Sequence, residues 1–325
     1  MRLRSLSACV ALLLVWNGSA PRAWSQATAV APREQLSQRF ESSVEARYDQ
    51  PYAGTNNPRQ QLDLFLPKQR TSNKPLPIVV YVHGGGWVSG SRESYDLAAA
   101  RLVSTGNYAA ASVGYRLSGE AKWPAQIHDC KAAIRWLRGQ AKELNLDPDR
   151  IGVLGSSAGG HLVTMLGLTA DNKLLAGELG EYTSRSNRVS CVVNFCGPSD
   201  LTIPLMQGKR AEEDDPAVTG LIGGKIEDRL EVAKEASPLN YVSATAAPFL
   251  TAHGSNDQRV NFTNAVRLDA ALRQAGASSL LIEITGGGHS MGGGQELAQR
   301  VEQFLDLHLR GIAAEISIVP IPTQN

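Results

Sequence analysis

Arg150-Ile151-Gly152-Val153-Leu154-Gly155-Ser156-Ser157-Ala158-Gly159-Gly160-His161 is the stretch on which the reading of this chain turns. An apolar run of β type ends in Gly-x-Ser-x-Gly, and helix-compatible residues follow at once. The pattern has the form of a nucleophile elbow: strand, sharp turn, helix. Such a turn holds Ser157 in a strained conformation with its hydroxyl directed out of the top of a sheet. Gly155 and Gly159 flank it because side chains there would collide with the neighbouring strand and helix. The helix start adds unpaired N–H groups and a partial positive charge beside the hydroxyl. A bare Gly-x-Ser-x-Gly also arises by chance in a glycine-rich chain. The remaining loops must therefore supply a base, an acid and donors for a developing oxyanion.

Outward from the elbow, apolar runs alternate with helical spacing. Residues 76–82 are continuously apolar, as in a strand buried on both faces. Residues 61–66 alternate, which predicts a strand with one wet face. Further strands are expected at 108–113, 189–195, 248–252 and 280–284. Helical patterns fall at 95–104, after Pro124, at 260–275 and around Leu297 to Leu305. Strands alternating with helices predict an α/β fold, a mostly parallel central sheet with helices on both faces. Residues 201–241 break the rhythm with Pro, Gly and charges. They read as a small, partly helical, cap-like insertion over the sheet top.

In such sheets the ligand-facing loops lie beyond the carboxyl ends of the strands. Four of them carry glycine plus a reactive or donor group: 83–87, 155–159, 254–257 and 286–289. Ser157 is a poor nucleophile without a base. Five of the six histidines have other readings: His83 braces the glycine run, His128 and His308 lie in helices, His161 packs after the elbow, and His253 supports its loop. His289 follows a strand and three glycines on a loop able to reach Ser157. Asp257 is the preferred acid, because the order Ser, Asp, His suits this architecture. Asp200 is the competitor, although Ser199-Asp200 after Gly-Pro reads better as a turn or helix cap. For the oxyanion, the N–H groups of Ala158 and of Gly85 and Gly86 are the candidate donors. Trp87 is a candidate for the substrate pocket wall, with plain packing as the alternative.

Together these residues resemble the α/β-hydrolase fold. More narrowly, the chain is similar to secreted esterases and lipases with an HGGGW oxyanion loop, a group that includes bifunctional feruloyl and acetylxylan esterases. The resemblance rests on His83-Gly84-Gly85-Gly86-Trp87, Gly114-Tyr115-Arg116-Leu117, Trp123-Pro124-Ala125-Gln126, the elbow, Gly197-Pro198-Ser199-Asp200, Ser237-Pro238, His253-Gly254-Ser255-Asn256-Asp257 and Gly288-His289. It spans nearly all of 61–309. It implies a carboxylester hydrolase with Ser157 as nucleophile, His289 as base, Asp257 as acid, and Gly85, Gly86 and Ala158 around the oxyanion. The implied substrate is a small-molecule or carbohydrate ester of acetyl or feruloyl type. An exopeptidase or formamidase on the same fold, or an exported binding protein without activity, are the alternatives. Ser156 stands where the group often has Glu or Asp.

Composition bounds the rest. At 325 residues and net charge +1, the chain can bury one large core and suggests no nucleic-acid partner. Arg2 and Arg4, an apolar stretch from Ala8 to Trp16 and the small-x-small site Ser25-Gln26-Ala27 read as a secretory signal peptide over 1–27, too short for a membrane span. Secretion or periplasmic export follows. Residues 28–58 read as an N-terminal extension, 59–311 as the hydrolase domain and 312–325 as a loose tail. Past the leader remain Cys130, Cys191 and Cys196, an odd number that argues against a disulfide framework. No cofactor is implied, and no metal cluster with ligand spacing is visible.

Overall fold

The computed structural model describes residues 33–206 and 214–323. The expected leader at 1–27, residues 28–32 of the extension, 207–213 of the insertion and 324–325 of the tail lie outside the described residues. In chain order the elements are α1 (Arg33–Phe40), β1 (Val44–Pro51), β2 (Gln61–Pro67), β3 (Leu76–Val82), α2 (Asp96–Val103), β4 (Ala109–Val113), α3 (Ala125–Gly139) and α4 (Ala141–Leu144). They continue with β5 (Leu146–Ser156), α5 (Ala158–Leu168), β6 (Cys191–Phe195), α6 (Pro216–Ile222), α7 (Leu230–Glu235), β7 (Phe249–Gly254), α8 (Thr263–Gln274), β8 (Ser279–Thr285), α9 (Gly294–Leu305) and β9 (Ile321–Pro322).

The strands form one sheet in the order β1-β2-β4-β3-β5-β6-β7-β8-β9. β2 pairs antiparallel with both β1 and β4, and every later pairing is parallel. All residues of β3, β4, β6 and β7 are buried. Their side chains alternate between two apolar layers. Val80, Val153 and Val192 face Ile134, Leu162 and Leu166 of α3 and α5. Val79, Leu154 and Val193 belong to the layer that holds Val103, Val301 and Phe304 of α2 and α9. This explains why the central strands read as unbroken apolar runs.

The sheet order also gathers the site. β5 lies between β3 and β6, with Gly155 opposite Val82 and Ser156 opposite Phe195. The loops leaving β3, β5 and β6 therefore start side by side, where the chain has switched from one half of the sheet to the other.

Two sequence expectations need correction and one is filled in. Residues 28–58, with few apolar anchors, read as a linker and an early edge, and within them α1 and β1 form, with β1 at the edge of the sheet. Its anchors are charges as much as apolar groups. Arg33 lies 2.8 Å from Asp49 and 2.9 Å from Asp63, and Arg92 lies 3.1 Å from Asp63. The same contacts overturn the wet face expected of β2. Asp63 is fully buried, because α1 and Arg92 cover it and two guanidiniums and the Asp49 N–H satisfy its oxygens. Finally, the 312–325 tail is tied down within its described part. Arg300 donates to the carbonyls of Ser317 and Val319, and Ile321 and Pro322 pair with Ile284 and Thr285 of β8. The insertion is helical in α6 and α7, as expected. No helix among the described residues is long and apolar enough to cross a membrane.

Candidate active site

Ser157 sits between β5 and α5 with φ 55° and ψ −120°, a conformation rare for a side chain other than glycine. Its neighbours leave no room to relax. A Cβ on Gly155 would lie 2.5 Å from the Gly159 carbonyl carbon, and one on Gly159 would lie 2.1 Å from the Val82 carbonyl oxygen. The Ser157 N–H donates to the Phe195 carbonyl at 2.8 Å, which ties the turn to β6. Ala158 begins α5, so its N–H is one of the helix's orphan donors. The glycine loop after β3 crosses directly alongside. A Cβ on Gly84 would meet the Ser156 carbonyl oxygen at 2.8 Å and the Ser157 Cβ at 3.4 Å. Gly85 and Gly86 both have positive φ, 112° and 60°.

His289 Nε2 lies 2.9 Å from Ser157 Oγ, and His289 Nδ1 lies 2.7 Å from Asp257 Oδ2. The loops that carry the histidine and the acid are laced together. Asn256 N–H donates to Gly287 O at 2.9 Å, Ser255 N–H to Ile284 O at 3.0 Å, and Gly286 N–H to Ser255 Oγ at 2.9 Å. Asp257 Oδ1 accepts from the N–H groups of Arg259 and Val260 at 2.7 and 3.0 Å. Burial alone would raise the Asp257 carboxyl. The donors around it, His253 and His289 foremost, outweigh burial and hold it well below the usual carboxylate range. For His289 burial works to lower the ring. The Cys196 sulfur and the Asp257 carboxylate overcome that and raise it above an ordinary histidine. The geometry suits proton transfer from Ser157 Oγ to His289 Nε2 with the imidazolium braced by Asp257.

The other candidates fall elsewhere. Asp200 caps Thr202 N–H at 3.0 Å and pairs with Arg267 at 2.9 Å, as a turn residue would. His83 stacks on Tyr115 with ring centroids 4.2 Å apart, and its Nδ1 meets the Gly84 carbonyl at 2.8 Å. Burial lowers it to about 4, so it braces the loop as a neutral ring. His161 is likewise lowered to about 4 by burial, and its Nε2 donates to the Ala236 carbonyl at 2.7 Å. That bond fastens the insertion to the start of α5. Trp87 is 2 % exposed and stands edge-on to His161 at 5.1 Å. It packs beneath the loop, so the pocket-wall reading gives way to the packing one.

Two neighbours were not legible as parts of the site. Cys196, which reads as a core thiol, directs its sulfur at the His289 carbonyl at 3.4 Å. Cys196 Sγ, an Asp257 oxygen and a His289 ring nitrogen lie within 4.8 Å of one another, although their sequence spacing shows nothing of it. His253 touches Asp257 directly. The Cys196 contact needs β6, β7 and β8 to lie side by side, whereas His253 and Asp257 are four residues apart, on β7 and the loop that follows it. Cys130, Cys191 and Cys196 are buried, and no disulfide joins them among the described residues.

A family model described as BD-FAE matches residues 62–272. The esterase LipC of Mycobacterium tuberculosis is 33 % identical over 72 % of this chain and 57 % of its own length. The chain spans about half the length of the curated esterases it matches, LipC and, at 54 %, LipQ of the same organism. Among solved structures, a truncated carbohydrate esterase from gut microbiota superposes with a TM-score of 0.70 at 31 % identity, over 77 % of this chain and 90 % of that one. A bifunctional GH43-CE protein of Bacteroides eggerthii gives a TM-score of 0.72 at 29 % identity, over 82 % of this chain and 35 % of that one.

Proposed function

Because the chain belongs to the BD-FAE family, we propose that it is a serine carboxylester hydrolase acting on short-chain or carbohydrate-linked acyl esters. The observation that carries this reading is the unbroken relay Ser157 Oγ, His289, Asp257 at 2.9 and 2.7 Å. Ser157 Oγ attacks the ester carbonyl while His289 Nε2 takes its proton. The carbonyl oxygen becomes an oxyanion, held by the N–H groups of Gly85, Gly86 and Ala158. Collapse expels the alcohol, which receives the proton from His289, and leaves an acyl-serine. Water, activated by the same imidazole, then releases the acid.

Acetyl and feruloyl esters are the acyl class we favour. The likeness to a carbohydrate esterase and to a GH43-CE protein supports a carbohydrate alcohol. The leader read over 1–27 supports action outside the cytoplasm, where plant polysaccharide would be met. Wild-type protein and Ser157→Ala are to be compared on p-nitrophenyl acetate, methyl ferulate and acetylated xylan. Activity is expected from the wild type alone. Equal rates from both proteins would reject Ser157 as nucleophile. Turnover of aminoacyl amides or N-formyl compounds in preference to esters would reject the ester reading.

A further inference from the structure

His253 takes no part in the steps above, yet it lies against the acid. It stands near the end of β7, fully buried. Its Nε2 is 3.0 Å from Asp257 Oδ2 and 2.8 Å from the Val260 carbonyl oxygen. A carbonyl oxygen can only accept, so Nε2 carries a proton. Nδ1 is buried and has no hydrogen-bond partner among the described residues. An unpaired ring nitrogen costs stability that an apolar side chain of similar size would not. What the imidazole adds at this place is its Nε2–H.

That N–H falls on the oxygen His289 uses. Oδ2 of Asp257 faces His289 Nδ1 at 2.7 Å and His253 Nε2 at 3.0 Å, while Oδ1 takes two backbone N–H groups. Four donors thus fix the carboxylate in its plane. The donor from His253 also draws charge from Oδ2 and so weakens its pull on the His289 proton. We propose that His253 is a positioning residue, whose Nε2–H aims Asp257 Oδ2 at His289 and tempers the hold of the acid on the base. The proposal rests on the Ser157, His289, Asp257 reading of function. Other groups near the pair are accounted for. The Cys196 sulfur meets the His289 carbonyl, Arg259 reaches toward the Met206 sulfur, and Asp200 is engaged by Arg267.

The test compares the full chain with His253→Gln and His253→Phe. Gln returns an amide N–H to the place of Nε2. Phe keeps a ring against Phe262, 5.7 Å away between centroids, and removes the donor. Rates on p-nitrophenyl acetate across pH are normalised to the sites that a fluorophosphonate labels. His253→Phe is expected to lose about 10- to 100-fold in kcat with KM within about two-fold, as orienting partners of reactive groups typically do. Its acid limb in kcat/KM should move to higher pH, because the freed Oδ2 holds the His289 proton more tightly. His253→Gln should stay within about three-fold of wild type and keep its limb. The downfield His289 Nδ1–H proton resonance reads the same contact without turnover. It should shift in His253→Phe and stay in His253→Gln. A folded His253→Phe with unmoved limb and resonance would overturn the proposal, as would a His253→Gln that behaves like Phe. Should the Phe variant not fold, His253→Met takes its place under the same criteria. A wild type without esterase activity would count against the functional reading, and the resonance would still decide the role of His253.

Discussion

Ser157 is held in a conformation that typically costs about 1–3 kcal/mol, and contacts of its neighbours keep it there. Those contacts make Gly159 the least replaceable residue of the elbow. Gly159→Ala would drive a Cβ to 2.1 Å from the Val82 carbonyl oxygen, a backbone atom that cannot swing away. It is expected to destabilise the fold by about 3 kcal/mol, read as a lowered urea midpoint. Asp257→Asn keeps shape and removes charge. It is expected to lower kcat by about four orders of magnitude with KM little changed. The pH dependence has a definite sign. The neighbours of His289 raise it above 6.5, and a raised base is protonated until the pH exceeds its own value. In the wild type kcat/KM should therefore keep climbing past the ordinary histidine range, and the limb should fall back toward that range in Asp257→Asn. A limb at the same pH in both proteins would contradict this.

At the level of elements, β1 and β2 depend on ion pairs as well as on apolar packing. Asp63 is fully buried between Arg92 and Arg33. Asp63→Ala would strand two guanidiniums and is expected to cost about 3–5 kcal/mol, measurable by urea unfolding. The same elements mark where sequence reading stopped. The elbow was readable because its glycines, its serine and the flanking strand and helix patterns all fall within one short stretch, 150–161. Asp257 and His289 were readable because each ends a recognisable strand-loop. The dry environment of Asp63 was not, because its cover comes from Arg33 and Arg92, each about 30 positions away in the chain. Cys196 stayed hidden for a related reason, because its contact with His289 joins strand ends far apart in sequence. His253 is only four residues from Asp257, but nothing in the sequence says that its ring turns onto the carboxylate.

For the molecule as a whole, Asp96 is the group that links stability to pH. It lies buried in the first turn of α2, where the helix dipole favours an anion, yet neither of its oxygens has a hydrogen-bond partner among the described residues. Desolvation dominates, the carboxylates of Asp63 and Glu93 add to it, and the group is pushed up to about 8 from 3.8. A raised carboxyl keeps its proton in the fold while the unfolded chain loses it. Its contribution is fully present below about pH 4 and is lost as the pH rises toward 8. Asp96→Asn should therefore be more stable than wild type at pH 8, by on the order of a few kcal/mol, with the advantage shrinking toward pH 4. Thermal melts across that range check it.

The sheet's two margins have a consequence for behaviour at high concentration. At one side β1 is charged at Glu45, Arg47 and Asp49 and shifts register between Arg47 and Gln50. At the other, β9 is only two residues long and includes Pro322, which has no N–H to offer. β1 is charged along its length and broken by its register shift, so a second molecule has little to zip onto there. Resistance to self-association through strand addition is built into the β1 end of the sheet, and substitutions that smooth β1 would erode it first.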